Sequence, residues 1–228
     1  MSNAQFSDIG ACVFDAYGTL FDFNSAVEGC RDKLGDKADL LSATWRQKQL
    51  QYTWLRSLMG KYEDFWTITG DALDFALSAA NIDDPSLRAE LMQLYLELDP
   101  YPEVVETLAT LKDARIKTAV LSNGSQSMLV SAAKNAGVSK LIDLMLSVDR
   151  VGIYKPHPSV YQLAVDELDI PAHRISFQSA NAWDACGAAA FGFRVAWINR
   201  FGQLGEALPG EPHAELGSLT ELPSIQAL

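Results

Sequence analysis

Five short apolar runs punctuate the chain: "IGACVF", "IKTAVL", "LIDLMLSV", "RISFQS" and "FRVAWIN". Their continuous hydrophobicity and β-branched content predict strands covered on both faces, as in a parallel sheet. Between them the apolar positions fall at helical spacing, over Pro102 to Ala114, Ser125 to Ala136 and Pro158 to Leu168, with a small-residue run from Asp184 to Ala190. Strand alternating with helix predicts a doubly wound α/β fold.

The interval between the first two strands breaks that rhythm. Positions 22–100 show helical periodicity and no convincing strand. In "LSATWRQKQLQYTWLRSLMG", Leu41, Trp45, Tyr52, Leu55 and Met59 fall on one predicted stripe, and Gly60 is placed to end the helix. A second helix is predicted in "EDFWTITGDALDFALSAA". An insert directly after the first strand reads as a helical cap, 22–100, over a core of 1–21 and 101–228. The tail after Phe201, spaced by Gly and Pro, reads as loosely ordered.

Length and composition narrow the class without naming a chemistry. The chain has 228 residues, 48% hydrophobic and 21% charged, enough for one large core or a core with an insert. Its net charge of −11 argues against nucleic acid or an anionic membrane surface as partner, but not against a small anion met by local cations. Cys12, Cys30 and Cys186 form no close pair, so reduced thiols and a cytoplasmic location are expected. No stretch reaches the length of a membrane span.

Chemistry is expected at the carboxyl ends of the strands, where open parallel sheets bind ligands. The first strand leads into "FDAYGTLFD" with Asp15, Tyr17 and Thr19; the second into "LSNG" with Ser122 and Asn123. After the third comes "YKPHPSVY" with Lys155 and Tyr161, and the fourth runs into "SANAWDACGA" with Ser179, Asn181, Trp183 and Asp184. Taken singly, each is more often a turn residue, a solvated lysine or a helix cap. Four such clusters on one rim reverse those odds.

These four stretches resemble the motifs of the haloacid-dehalogenase superfamily, and specifically its L-2-haloacid dehalogenases. The resemblance spans nearly the whole chain, and "TWRQKQLQYTWLR" is similar to the cap helix that carries that group's arginine, here Arg46. It implies a Rossmann-like core with an inserted cap, hydrolysing short (S)-2-haloalkanoic acids to (R)-2-hydroxyalkanoic acids. Asp15 would attack C2, displace halide with inversion, and form an ester that water then hydrolyses. Lys155 would hold Asp15 ionised, Thr19 would hydrogen-bond it, and Tyr161 would orient Lys155.

The remaining roles follow from the same resemblance. Ser122 would grip the substrate carboxylate with backbone N–H groups; Arg46, Asn123 and Trp183 would cradle the halide. Asp184, supported by Asn181 and Ser179, would deprotonate the water. Tyr17, Gln47, Leu50 and Phe65 would line the pocket. Trp45, Trp54, Trp66 and Tyr52 are expected in cap packing or a subunit interface, and relatives are often homodimers. Ala180 stands where many relatives carry a small polar residue, which bears on the speed of hydrolysis.

Position 17 bears on the main rival, a metal-dependent phosphatase. Superfamily phosphatases place a second acid there to protonate their leaving group, whereas halide departs without a proton. Ser179 and Ala180 leave the fourth cluster poor in the carboxylates that Mg²⁺ prefers, so no metal and no other cofactor is expected. A catalytically silent binding protein on the same scaffold is the third reading, disfavoured because buried charges are costly without a role.

Overall fold

The computed structural model describes residues 6–226. Six strands form one parallel sheet: β1 Ala11–Phe14, β2 Lys117–Ser122, β3 Leu144–Ser147, β4 Ile175–Ser179, β5 Arg194–Ile198 and β6 Ala214–Leu216. Their order is β3-β2-β1-β4-β5-β6, and every pairing is parallel. All carboxyl ends therefore share one rim, and the order reverses between β1 and β4. That crevice is where such sheets bind ligands.

The five anticipated runs are strands, and β6 adds a sixth in the tail expected to be loose. Only Ala214 and Leu216 point inward, with Glu215 outward. A three-residue alternation is too short to register as a pattern, and pairing with β5 supplies the missing hydrogen bonds. Flanking helices follow in chain order. α1 Ser25–Glu28, α2 Arg31–Leu34, α3 Ala38–Leu58, α4 Phe65–Ala79 and α5 Pro85–Tyr95 lie between β1 and β2. α6 Val104–Asp113, α7 Gln126–Asn135, α8 Pro158–Leu168, α9 Ala182–Phe191 and α10 Leu222–Ile225 accompany the sheet.

The helical insert leaves and rejoins the sheet at adjacent points. Asp22 N–H donates to the Asp99 carbonyl at 2.8 Å and Tyr101 N–H to that of Leu20 at 3.0 Å. This two-stranded stem sets α3 and α4 beside the rim. The predicted stripe on α3 needs correction, because Leu55 is 46% and Met59 69% exposed. The buried line runs instead through Leu41, Trp45, Gln49 and Thr53, stepping by four. Two of these are polar, and their burial is tolerated because their hydrogen bonds are made.

Candidate active site

β1 delivers Asp15 to the rim, where Asp15 N–H still donates to the Gln178 carbonyl of β4 at 2.9 Å. The chain then turns sharply: Thr19, Leu20 and Phe21 N–H groups all donate to the Ala16 carbonyl. Gly18 makes this possible at φ +89°, a conformation in which a Cβ would be strained. The turn brings Thr19 Oγ1 back to Asp15 Oδ2 at 3.2 Å. The same Thr19 Oγ1 accepts from Ala180 N–H at 2.8 Å.

A buried ammonium lies between two carboxylates. Lys155 Nζ donates to Asp15 Oδ1 at 3.0 Å and to Asp184 Oδ2 at 2.8 Å. Lys155 and Asp184 are 1% and 0% exposed. Burial pulls the lysine's pKa down, but attraction from Asp15 and then Asp184 outweighs it and raises the pKa. Unit charges 4 Å apart at an effective dielectric near 20 interact by about 4 kcal/mol, so two such neighbours keep the ammonium charged. Burial raises the Asp184 pKa; Lys155 opposes this and Asp15 adds to it.

Tyr161 serves a different partner from the one expected. Its hydroxyl donates to Asp184 Oδ1 at 2.8 Å instead of orienting Lys155. Burial, then the Asp184 charge, holds the phenol's pKa well above its usual value, so it remains a donor. Asn181 and Ser179 are likewise redirected. Asn181 Nδ2 donates to Asp15 Oδ2 at 2.8 Å, and Ser179 Oγ makes a long 3.5 Å contact with the same oxygen. Neither side chain supports Asp184, because the tight start of α9 turns both back toward β1.

Arg46 reaches across from α3. Its Nη2 donates to Asn181 Oδ1 at 3.1 Å and its Nη1 to Gln49 Oε1 at 2.8 Å, and the guanidinium lies 4.9 Å from the Phe23 ring centroid. A cleft of about 760 Å³ opens here, lined by Arg46, Leu50, Asn181, Trp183 and Arg200 among others. Trp183 meets Trp54 edge to face at 5.3 Å, so Trp54 backs the cleft wall. Trp45 is buried within the helical insert, donating to the Thr69 carbonyl.

Other anticipated lining residues lie elsewhere. Gln47 is exposed, since on α3 it sits about 100° from Arg46. Phe65 is buried behind the site, its ring tilted against Tyr17 at 5.6 Å and against Tyr154 at 6.2 Å between centroids. Tyr17 is itself in an aromatic stack with Tyr95 at 5.5 Å. Asn123 turns its Oδ1 to Lys155 N–H at 3.0 Å, pinning the lysine loop and not aiming that oxygen at an anion. Ser122 Oγ accepts from Gly124 N–H at 3.0 Å, shaping the loop into α7.

Sequence reasoning passed over Gln49, Tyr95 and Arg200. Arg200 donates to the Thr19 carbonyl at 2.9 Å, pairs with Glu103 and packs on Tyr101 at 4.0 Å. Its position directly after β5 was the available signal. A separate cavity of about 750 Å³ lies beside β5 and β6. It offers no activated nucleophile, because burial and nearby Glu206 and Glu211 push the Cys186 thiol up.

Residues 9–192 match the family model for haloacid dehalogenase-like hydrolase. The chain is 46% identical over 218 residues to (S)-2-haloacid dehalogenase 1 of Pseudomonas sp. (strain CBS-3), covering 95% of this chain and 96% of that one. Its structure is similar to a dehalogenase crystallised with an intermediate complex, at TM-score 0.95 and 44% identity, over 97% and 98% of the two chains. It is also similar to the L-2-haloacid dehalogenase of Xanthobacter autotrophicus with chloropropionic acid covalently bound, at TM-score 0.89 and 36% identity, over 95% and 98%.

Proposed function

The chain belongs to the haloacid dehalogenase-like hydrolases, and from that premise we propose that it hydrolyses carbon–halide bonds in short (S)-2-haloalkanoic acids. The products are halide and the (R)-2-hydroxy acid. One observation carries the reading. Asp15 is the carboxylate at the tip of β1, ion-paired to Lys155, with an aromatic residue instead of an acid at position 17 and Arg46 joined to Asp15 through Asn181.

The Asp15 carboxylate donates an electron pair to C2 as the carbon–halogen bond breaks, and the halide leaves with that bond's electrons toward Arg46. An ester now joins Asp15 to the substrate, and C2 is inverted. Lys155 keeps Asp15 oriented for the attack, which is worth more than raw charge in a reaction limited by geometry. The substrate carboxylate lies at the N-terminal end of α7, beside Ser122 and Asn123, where backbone N–H groups favour an anion.

Asp184 then takes a proton from water, and the hydroxide so formed attacks the ester carbonyl of Asp15. The tetrahedral intermediate collapses, the hydroxy acid departs as an alkoxide that takes the proton held by Asp184, and Asp15, released as a carboxylic acid, gives its own proton to solvent and is regenerated. Two features support the assignment: Asp184 is held by Lys155 and Tyr161, and its raised pKa makes it a stronger base than an ordinary carboxylate. With carboxylate and halide both fixed, swapping enantiomers exchanges hydrogen and alkyl at C2, and the alkyl group then meets the pocket wall.

The proposal includes the division of the chain into a core and a cap over 22–100, with the stem at Asp22 and Asp99 as its hinge point. It also includes a homodimer, supported by the exposed Leu55, Leu58 and Met59 at the end of α3, and a cytoplasmic location, supported by three buried free cysteines. Among the described residues no helix is long and apolar enough to cross a membrane.

The test is halide release from L- and D-2-chloropropionate beside a phosphate ester supplied with Mg²⁺. Release from the L form alone, with D-lactate formed, supports the proposal. Phosphate release without halide release overturns it.

A further inference from the structure

A buried cap residue holds one end of Arg46, and no step above uses it. Gln49 stands one turn further along α3 and is 1% exposed. Its Oε1 accepts from Arg46 Nη1 at 2.8 Å. Its Nε2 donates to Thr69 Oγ1 at 2.8 Å and to the Tyr95 hydroxyl at 3.0 Å. Thr69 and Tyr95 are themselves buried, so this is a closed polar network inside the cap.

Thr69 decides which way the amide faces. Its hydroxyl has one proton, and that proton goes to the Phe65 carbonyl at 2.6 Å. Thr69 therefore meets Gln49 as an acceptor, which requires the amide nitrogen on that side and leaves the amide oxygen toward Arg46. A flipped amide would set its NH₂ against the guanidinium and leave Thr69 with no proton to offer. Both errors are costly where no water replaces the lost bond.

The guanidinium is thus gripped at both ends. Nη1 is fixed to the cap through Gln49, and Nη2 to the core through Asn181, whose Nδ2 in turn holds Asp15. A planar fork held at two corners has no freedom to rotate, so its remaining N–H donors have a set direction. Losing the Gln49 contact leaves one corner held.

We propose that Gln49, with its orientation set by Thr69, is a positioning residue that aims the Arg46 guanidinium at the departing halide and so sets the enzyme's dependence on leaving group. The inference rests on the halide-receiving role given to Arg46 above. Chloride is a poorer leaving group than bromide and needs more help at the transition state. Misaiming the cation therefore costs chloride displacement more.

The experiment measures kcat/KM for L-2-chloropropionate and L-2-bromopropionate, and inhibition by bromide ion, in the full-length enzyme. The variants are Gln49→Met, Thr69→Val, Thr69→Ser and Arg46→Lys. Gln49→Met keeps the side chain's length and loses the acceptor. It should lower kcat/KM for the chloro acid by about ten- to a hundredfold and raise the bromo/chloro ratio by about threefold or more. Inhibition by bromide should weaken in parallel.

Thr69→Val, which touches neither Arg46 nor substrate, should shift both readouts the same way by less, and Thr69→Ser should restore them. If Gln49→Met fails to fold, Thr69→Val carries the test. Equal losses on both substrates with bromide inhibition unchanged would mean that Gln49 only packs the cap, and the inference falls. If Arg46→Lys shifts the ratio while Gln49→Met and Thr69→Val do not, positioning alone is wrong. If Arg46→Lys leaves ratio and inhibition unchanged, the halide role of Arg46 fails and the inference fails with it.

Discussion

Asp15 and Asp184 share one ammonium yet are assigned opposite tasks, and single substitutions should separate them. Asp184→Asn should slow ester hydrolysis by about 10²- to 10⁴-fold while still releasing about one equivalent of halide, with the adduct on Asp15 seen by mass spectrometry. Asp15→Asn should give neither burst nor adduct. In a single turnover in H₂¹⁸O, heavy oxygen should enter the Asp15 carboxylate and not the product hydroxyl. Acidity follows from burial. The folded pKa of Asp184 lies above its ordinary 3.8, so ionising it costs stability as pH rises past that value, with the full cost present above the folded pKa. On the base role proposed for Asp184, ester hydrolysis needs its ionised form and should fall toward acid with a midpoint above 3.8. Lys155 runs the other way. Its pKa is raised from 10.5, so its contribution is complete at neutral pH and is lost only in alkali, through the folded value.

Elements matter here through how closely they approach. α9 carries Asp184 in its first turn and must lie near both the Lys155 loop and α8. Gly187 is the point of contact: an added Cβ would come within 2.7 Å of Pro156 Cβ and 2.7 Å of the Tyr161 hydroxyl. Gly187→Ala should therefore destabilise the protein by about 1–3 kcal/mol, read as a lowered urea midpoint. It should also reduce ester hydrolysis by displacing Tyr161 from Asp184. The aromatic cluster of Tyr161, Phe177, Phe191 and Phe193, with centroids 5.1–6.0 Å apart, leaves the phenol little room to yield. On α3 the same logic explains why Gln49 was passed over: a polar residue reads as solvated until a buried partner is known.

At the scale of the molecule, charge works against the substrate. A protein of net charge −11 repels an anion at long range, while Arg46 attracts it at short range inside the cleft. Added sulfate screens the first more than the second, since the Debye length is about 8 Å at physiological ionic strength. The KM for L-2-chloropropionate should therefore fall by about two- to threefold between low salt and 0.15 M ionic strength supplied as sulfate. The donor set also bears on metals. Asp15 and Asp184 are bridged by Lys155 and their neighbours are neutral, an arrangement poorly suited to a hard dication. Turnover should survive excess chelator, checked by halide release with EDTA present.

The sequence by itself determined the sheet, the insert and the cluster of reactive side chains. Continuous apolar runs can be buried only as covered strands, and parallel strands put every strand-end motif on one rim. Asp15, Lys155, Asp184 and Thr19 were therefore legible as one site before any coordinates. Their pairing was not. Which oxygen of Asp15 meets Asn181, why Tyr161 serves Asp184, and that Gln49 and not Gln47 faces inward all depend on helix rotation and loop closure. A rotation of about 100° per residue on α3 separates a buried ligand of Arg46 from an exposed surface residue, and no local pattern fixed that angle. The sixth strand was likewise decided by tertiary contact, because three residues carry too little hydrophobic signal and gain their order only from β5.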